Sequence, residues 1–488
     1  MLVYNTFIGG TPYGLYFFLP KLITQALYFG LIVSWLVFLL VRRWCIPTSV
    51  LDLPLIVLGG IILASALLAR DPVLSLNDVV LYFTYIAFYF MTLERLRAGW
   101  PVVAFIKALV MTVSIVCLFA LLEYLAWYFG WPLFAEFRPG WWSIGGWQDP
   151  LPPYWHRLEY TLTNPNLVAG LLAYTLPLGA AAVVVAHSRW RRLNAFLWLL
   201  LCSLVLVITF SRGGWLAALA GLLTFAALLM RRRVALSAAV RRRFLLGAGA
   251  GMVVLVGLAV SANLLEWYRP GSDEARLAMW RYALPMIRDH PLIGSGPRTY
   301  GARLLDYWDA RQDPVPYVFL GTAHNALLQS AAELGIPGAL LVMVIGLLVL
   351  RSGYRAVMHL PRERAIWMAG LFAGLVAFAV HNMGETLLSM PAVMLPVVMM
   401  AGILCSYGDG AASVPLSRRG WASTWGLGIS IPVIIWAALS LYGMAHLVNS
   451  AAAVLHERWE EVIATLQRLP PGSLPTSFRQ FQLALGYV

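Results

Sequence analysis

The sequence predicts an all-α, polytopic integral membrane protein with about twelve transmembrane helices. Of its 488 residues, 60% are hydrophobic and only 12% are charged. A soluble fold has too little interior for this much apolar surface, whereas lipid requires that every backbone polar group be bonded internally, which favours helices. Apolar runs of about 20 residues, the length that a helix needs to cross a bilayer, recur along the chain.

The apolar runs give the positions of the predicted spans. These are residues 22–41, 53–69, 75–93, 102–129, 162–186, 194–210, 213–230, 244–265, 326–350, 365–388, 391–407 and 425–447. Residues 1–20 are apolar but contain several glycines and prolines, so we expect an interfacial segment there. The four cysteines lie in or beside apolar runs without metal-ligand spacing, and we interpret them as membrane-embedded side chains.

The distribution of basic residues predicts the orientation of the spans. Most of the 35 lysines and arginines lie in alternate connections, which contain few acids. The clusters are Arg42 and Arg43; Arg95, Arg97 and Lys107; Arg189, Arg191 and Arg192; Arg231 to Arg233 and Arg241 to Arg243; Arg351, Arg355, Arg362 and Arg364; and Arg418 and Arg419. The positive-inside rule makes these connections cytoplasmic and both termini external. The net charge of +13 therefore reports orientation, and we find no nucleic-acid-binding motif or nucleic-acid partner.

Two long connections and the C-terminal tail are predicted to lie on the outer side. We assign 1–447 to a transmembrane domain, with outer loops at 130–161 and 266–325. The first loop is rich in tryptophan, which suits either an interfacial belt or carbohydrate stacking. Residues 448–488 are predicted to form an outer helical tail that resembles the start of a tetratricopeptide-type hairpin.

The second outer loop combines an amphipathic helix with an excess of arginine. Residues 273–290 place apolar side chains at helical spacing, and Pro285 is expected to kink the helix. The loop arginines are Arg276, Arg281, Arg288, Arg298, Arg303 and Arg311. Outer connections are normally poor in arginine, so an anionic substrate at the outer leaflet would explain those that do not pair with loop acids.

Two short motifs at the outer ends of spans are candidates for chemistry. Arg212 lies in Thr-Phe-Ser-Arg-Gly-Gly-Trp at 209–215 and is the only charge between residues 193 and 230. Its guanidinium suits phosphate, although an arginine that reaches the interface for solvation is an equal alternative. His324, in Thr-Ala-His-Asn at 322–325, is either a general base for a hydroxyl or an interfacial histidine bonded to backbone.

Two further polar motifs lie near the same membrane face. Asn164 and Asn166 belong to Asn-Pro-Asn at a span start. His381 and Glu385 are four residues apart, which predicts neighbours on one helical face. Both motifs suit core hydrogen bonding or substrate contact. Gly-Ser-Gly-Pro at 294–297 is a turn without the lysine of a nucleotide-binding loop, and no metal-ligand cluster is evident.

The order of these motifs along the chain resembles that in the O-antigen ligase and polymerase superfamily of bacterial envelopes. Asn-Pro-Asn is followed by Thr-Phe-Ser-Arg-Gly-Gly, the arginine-bearing loop and Gly-Ser-Gly-Pro. The family's His-Asn, nine residues, Gly-x-x-Gly pattern is met at His324, Asn325, Gly335 and Gly338. The similarity is clearest over 160–400, and the first 150 residues match only in hydropathy.

The resemblance implies a GT-C-type, inverting glycosyltransferase that needs no metal or cofactor. It implies transfer of a glycan from an undecaprenyl-pyrophosphate donor to a lipid A–core hydroxyl, on the periplasmic face of the bacterial inner membrane. His324 would be the base, and Arg212 and Arg276 would hold the pyrophosphate, with Arg281 as the competitor for the second position. The predicted substrate-binding residues are Arg281, Arg288, Asn325, Asn164, Asn166 and Glu385.

Three other functions compete with the ligase. A polymerase of the same superfamily would transfer the glycan to another lipid-linked repeat, and a protein O-oligosaccharyltransferase would transfer it to a serine. A transporter or flippase would show two similar halves and charges near mid-membrane. The sequence shows neither feature, because its polar residues gather at one face and 266–325 has no counterpart in the first half.

Overall fold

A computed structural model of the chain describes residues 18–41, 45–70, 72–129, 164–232, 272–309, 322–409 and 413–415, with single positions at 158, 162, 442 and 464. Apart from those single positions, several predicted features lie outside the described residues. These are the N-terminal interfacial segment through position 17, the spans at 244–265 and 425–447, the outer loop 130–161, parts of the loop 266–325 and the tail 448–488.

The described residues form helices joined by short connections, with one pair of very short strands. The elements are α1 Phe18–Val41, β1 Cys45–Pro47, α2 Asp52–Leu68, α3 Pro72–Arg97, α4 Val102–Phe129, α5 Pro165–Val185, α6 Arg189–Ile208, α7 Arg212–Arg231, α8 Ser272–Asp289, α9 Tyr300–Tyr307, α10 Ala326–His359, α11 Arg362–His381, α12 Pro391–Gly408 and β2 Ser413–Pro415. The strands pair antiparallel, with Ile46 opposite Val414.

Each predicted span that falls within the described residues coincides with a helix. Among those residues, 8 helices are long and apolar enough to cross a membrane. These helices indicate a multi-pass membrane protein. The total of about twelve spans stays a prediction.

The centre of the bundle is a close packing of α5, α7 and α11, where glycines allow the helix backbones to approach. A Cβ atom at Gly374 of α11 would lie 2.3 Å from the carbonyl oxygen of Tyr174 in α5. At Gly221 of α7 it would lie 2.9 Å from the Cβ of Ala377. Small residues at such contacts are typical of helix association in membranes.

Helix α10 is interrupted within its first turns. Gly335 adopts φ 75° and ψ 171°, and Pro337 follows it. The interruption frees carbonyl groups, and a loop between α8 and α9 uses them: the backbone N–H of Ser295 donates to Ala332 at 2.9 Å and that of Gly296 to Glu333 at 3.0 Å. The Gly-Ser-Gly-Pro turn therefore docks on the broken start of α10.

Helix α8 runs as one element through Pro285. Its buried face is formed by Ala278, Met279, Ala283 and Met286. Leu277 and Leu284, two of the apolar side chains that recur at helical spacing in the sequence, are exposed on the other side. The helix thus packs on α10 mainly through this buried face, and of the apolar stripe in the sequence only Trp280 and Ile287 are partly buried.

Candidate active site

Glu385 lies at the centre of the polar residues that the fold brings together. Its carboxylate oxygen Oε1 is 2.6 Å from Nδ1 of His324. The other oxygen, Oε2, accepts a hydrogen bond of 2.7 Å from the amide of Asn166. Glu385 is only 7% exposed, so this carboxylate is satisfied by protein groups instead of water.

The connection between α11 and α12 that bears Glu385 is braced against the start of α10. The backbone N–H of Ala326 donates to the carbonyl of Asn382 at 3.0 Å. The amide of Asn325 donates to the carbonyl of Met383 at 3.1 Å. These bonds fix the distance between the chain segments that carry His324 and Glu385.

The helix-face prediction for His381 and Glu385 is wrong, because α11 ends at His381. The predicted span 365–388 is therefore shorter at its C-terminal end. Glu385 follows in a non-helical segment, where the side-chain oxygen of Asn382 accepts from the N–H of Leu387 at 2.9 Å. His381 nevertheless stays close enough to lower the pKa of Glu385.

His324 has an unusual backbone. Its φ of 47° lies in the left-handed region, which side chains other than glycine adopt rarely and often at functional sites. The following Asn325 caps α10, because its side-chain oxygen accepts from the N–H groups of Leu327 and Leu328 at 3.1 and 3.0 Å. His324 is thus held in the turn that leads into a capped helix.

The two asparagines of the Asn-Pro-Asn motif have different contacts: one caps a helix and the other contacts Glu385. Asn164 caps α5 by accepting from the N–H of Asn166 at 2.8 Å, and Pro165 takes the first helical position, where its missing N–H costs nothing. Asn166 then faces Glu385. Asn164 and Asn325 therefore have capping contacts, and Asn166 contacts the central carboxylate.

Arg212 is the first residue of α7, and its side chain is exposed. The preceding residues build a tight turn: Phe210 has φ 51°, and Ser211 caps the helix by accepting from the N–H of Gly214 at 3.3 Å. A helix N-terminus with a guanidinium at its first position favours an anion.

Arg212 is linked to the rest of the site through Gly213 and His381. A Cβ atom on Gly213 would lie 3.8 Å from Nδ1 and Cε1 of the His381 ring. On the opposite side, a Cβ on Gly170 would lie 3.5 Å from Cδ2 of the same ring. The buried imidazole is therefore in contact range of α5 and the start of α7, and it connects Arg212 to the Glu385 segment.

The charges around Glu385 decide its ionisation. Burial by itself would raise the pKa of the Glu385 carboxyl, but the neighbouring His324, His381 and Arg276 lower it to about 2. Glu385 is thus a carboxylate throughout the neutral range. Its lowered pKa also reveals that Arg276 of α8 lies within electrostatic reach of the site.

The other two arginines of α8 that the sequence singled out lie elsewhere on the helix. Arg281 and Arg288 are exposed, on the side that also carries Leu277 and Leu284, whereas Arg276 is half-buried. The fold therefore brings Arg276 toward Glu385 and leaves Arg281 and Arg288 at the surface.

Sequence reasoning missed two side chains beside His324. Trp280 donates from Nε1 to the carbonyl of Ala323 at 3.0 Å, and Gln329 accepts from the N–H of the same residue at 2.9 Å. The one available signal for Trp280 was its position one helical turn after Arg276.

Within the part of the chain that the structure describes, no three His, Cys, Asp or Glu side chains gather as candidate metal ligands. The arrangement can perform acid–base chemistry on a hydroxyl, since an imidazole paired with a carboxylate is a competent proton acceptor. It can also bind an anion through exposed and half-buried guanidinium groups.

The comparison with known protein families covers part of the chain that forms this site. A family model described as O-antigen ligase matches residues 195–343. The matched segment includes Arg212, Arg276 and His324, whereas Asn166 and Glu385 lie outside it. A search of curated proteins gives no significant match. Residues 195–343 are therefore similar to the O-antigen ligase and polymerase superfamily.

Proposed function

We propose that this chain is a GT-C-type glycosyltransferase that moves a glycan from undecaprenyl pyrophosphate to the hydroxyl of an acceptor, namely a sugar of lipid A–core. The observation that carries the proposal is the contact of 2.6 Å between His324 and Glu385. The motifs around it occur along the chain in the same order as in the superfamily that the sequence resembles. A fixed imidazole–carboxylate pair has the composition of a general base and its orienting partner.

The proposed reaction uses His324 through its second nitrogen. With Nδ1 2.6 Å from Glu385, Nε2 is the nitrogen that would accept the proton of the acceptor hydroxyl. The acceptor oxygen then forms a bond to the anomeric carbon of the donor, the bond from that carbon to the pyrophosphate oxygen breaks, and the pyrophosphate leaves with the electron pair. Attack opposite the leaving group inverts the anomeric configuration.

Arg212 and Arg276 are the proposed partners of the pyrophosphate. Negative charge grows on the leaving oxygen in the transition state, and guanidinium groups aimed at that position stabilise it. We assign the second position to Arg276 instead of Arg281, because the charge of Arg276 acts on Glu385. Arg281, Arg288, Asn325, Asn164 and Asn166 stay proposed contributors to substrate binding or site geometry.

The positions of the helix ends support the proposed side of the membrane. Helices α5, α7 and α10 begin at the site and α11 ends there. Arg189, Arg231 and Arg362 lie at the opposite ends of their helices. Under the positive-inside rule those ends are cytoplasmic, which supports an active site on the periplasmic face of the inner membrane.

The proposed domain division has residues 1–447 as the transmembrane glycosyltransferase domain and 448–488 as an extracytoplasmic tail. On this division the tail would lie on the acceptor side and leave room for a protein acceptor or partner. A polymerase and a protein O-oligosaccharyltransferase therefore stay the alternative functions.

An acceptor screen with purified full-length protein tests the proposal. An undecaprenyl-pyrophosphate-linked repeat is supplied alone, with lipid A–core, or with serine-containing peptides. Glycosylated lipid A–core supports the ligase, lengthening of the repeat alone indicates a polymerase, and a glycopeptide indicates protein glycosylation. Absence of glycan transfer and of undecaprenyl pyrophosphate release under all three conditions would refute the proposed function.

A further inference from the structure

The peptide groups of Ala323, directly before His324, are held on both sides. Gln329 accepts a hydrogen bond from the N–H of Ala323 at 2.9 Å, and Trp280 donates from its indole to the carbonyl at 3.0 Å. Ala323 is 0% exposed, so water does not compete for these groups. The N–H and the carbonyl of Ala323 belong to the two peptide planes on either side of its Cα, and both planes have little freedom to rotate when these groups are bonded to side chains.

This restraint matters because His324 follows with φ 47°. A left-handed backbone at a residue with a side chain persists only where surrounding contacts determine it. The orientation of the Ala323 peptide sets the direction in which the chain enters that turn. Trp280 and Gln329 thereby control where the imidazole of His324 projects.

The side chains of Gln329 and Trp280 are themselves fixed in position. The amide nitrogen of Gln329 donates to Oε1 of Glu333 at 2.9 Å, and the same oxygen accepts from the N–H of Tyr300 at 3.3 Å. Gln329 is 4% exposed. Trp280 is placed by α8, one turn after Arg276. The backbone of Ala323 thus connects α8, which carries Arg276, to His324, the proposed base.

We propose that Trp280 and Gln329 are positioning residues that hold His324 against Glu385 for proton transfer. This inference rests on the proposed function. Both side chains affect the chemical step only through the position of His324. Neither side chain is proposed to touch the substrate. Their removal should therefore slow the reaction and leave donor affinity nearly unchanged.

The first test uses Trp280→Phe, which removes the indole donor and keeps an aromatic ring, and Gln329→Met, which removes both amide contacts at similar length. Trp198→Phe is the matched control, because it removes an indole hydrogen bond of the same 3.0 Å length, to Ser114, away from the site. Each full-length variant is purified, and its unfolding temperature and donor dissociation constant are measured.

Activity is measured as release of undecaprenyl pyrophosphate from an undecaprenyl-pyrophosphate-linked repeat, with lipid A–core, excess repeat and serine-containing peptides all present. We expect kcat to fall roughly 10- to 100-fold in Trp280→Phe and Gln329→Met, since small misplacements of a reacting group have effects of this size. Donor affinity should stay within about twofold, and Trp198→Phe should match the unaltered protein.

A double-mutant cycle tests whether the effect passes through His324. Trp280→Phe is combined with Glu385→Gln, which also disturbs the imidazole. The combined loss should be clearly smaller than the product of the single losses, because both changes misplace one group. Losses that multiply, or an unfolding temperature and donor affinity that fall together with kcat, would overturn the positioning role.

Failure of this inference is separable from failure of the proposed function. If His324→Ala is inactive while Trp280→Phe and Gln329→Met retain full activity, only the positioning role is refuted. If His324→Ala retains full activity, or if the unaltered protein releases no undecaprenyl pyrophosphate, the assignment of the base and this inference fail together.

Discussion

Nδ1 of His324 lies 2.6 Å from Oε1 of Glu385, although the two residues belong to different connections of the helix bundle. Asn166 donates to the other carboxylate oxygen at 2.7 Å. The carboxylate thus ties the start of α5 to the start of α10 beside the end of α11. Its proposed function is to orient the imidazole and to stabilise it when it is protonated.

Glu385→Gln should lower the rate of transfer roughly 100-fold, since the uncharged amide no longer stabilises a protonated His324 and general-base catalysis contributes about this much or more. The protein should still fold, because the amide has a similar volume. Initial rates at saturating donor provide the measurement.

The control is Glu94→Gln. Glu94 is also a buried carboxyl, and it accepts a hydrogen bond from Trp35 at 3.0 Å in another part of the bundle. An equal loss of rate in both variants would contradict a specific role for Glu385.

His324→Ala should abolish transfer while the protein still inserts and folds. The methyl group cannot accept a proton, so the acceptor hydroxyl is not activated. Transfer to lipid A–core is measured alongside insertion and gel-filtration behaviour. His187→Ala changes an exposed histidine near the end of α5 distant from the site and should transfer normally; normal transfer by His324→Ala would refute the base assignment.

Arg212→Ala should also abolish transfer, because a guanidinium that stabilises a pyrophosphate leaving group is lost. Arg189→Ala is a matched control, since Arg189 likewise begins a helix after a serine cap, Ser188, and lies at the opposite membrane face. Donor binding and turnover are measured separately. Equal activity of the two variants would exclude Arg212 from the reaction.

Gly335→Ala should destabilise the protein by about 1–3 kcal/mol and weaken transfer. The residue has φ 75°, and a Cβ atom would lie 2.5 Å from the backbone of Leu292, so the docked turn before α9 must shift. Thermal unfolding in detergent gives the comparison.

Gly346→Ala is the reference for this change, because a Cβ atom there meets nothing within 4 Å and alanine favours a helix. We expect its unfolding temperature to equal or exceed that of the unaltered protein. If Gly335→Ala behaves in the same way, the turn does not depend on this close approach.

The pH dependence of stability should contain a contribution from Glu385. Its pKa is lowered from 4.5 to about 2 in the folded protein, so its stabilising effect is fully present above pH 4.5 and is lost as the pH falls toward 2. The unfolding temperature of the unaltered protein should therefore exceed that of Glu385→Gln at neutral pH, and this gap should narrow below pH 4.5. A constant gap would contradict the lowered pKa.

Transfer should persist in excess chelator, because the proposed charge stabilisation comes from Arg212 and Arg276. The assay compares untreated protein, protein in excess chelator, and chelated protein with magnesium restored. Activity that is lost and then returns with magnesium would reveal a metal requirement.

For the part of the chain that the structure describes, the sequence alone determined which segments are apolar helices, because burial in lipid demands continuous runs of hydrophobic residues and internal backbone bonding. It also singled out Arg212 and His324 as candidate site residues, since charged or titratable residues beside apolar runs are conspicuous. These are local signals, and they need no knowledge of which helices are neighbours.

Only the tertiary structure decided which side chains meet. The sequence pattern assigned Glu385 to a helix with His381, whereas the fold ends α11 at His381 and turns the carboxylate toward His324. The fold likewise places the thiols of Cys117 and Cys202 3.9 Å apart. Such contacts join residues distant along the chain, so they depend on how helices pack and where their ends are braced, which apolar periodicity does not encode.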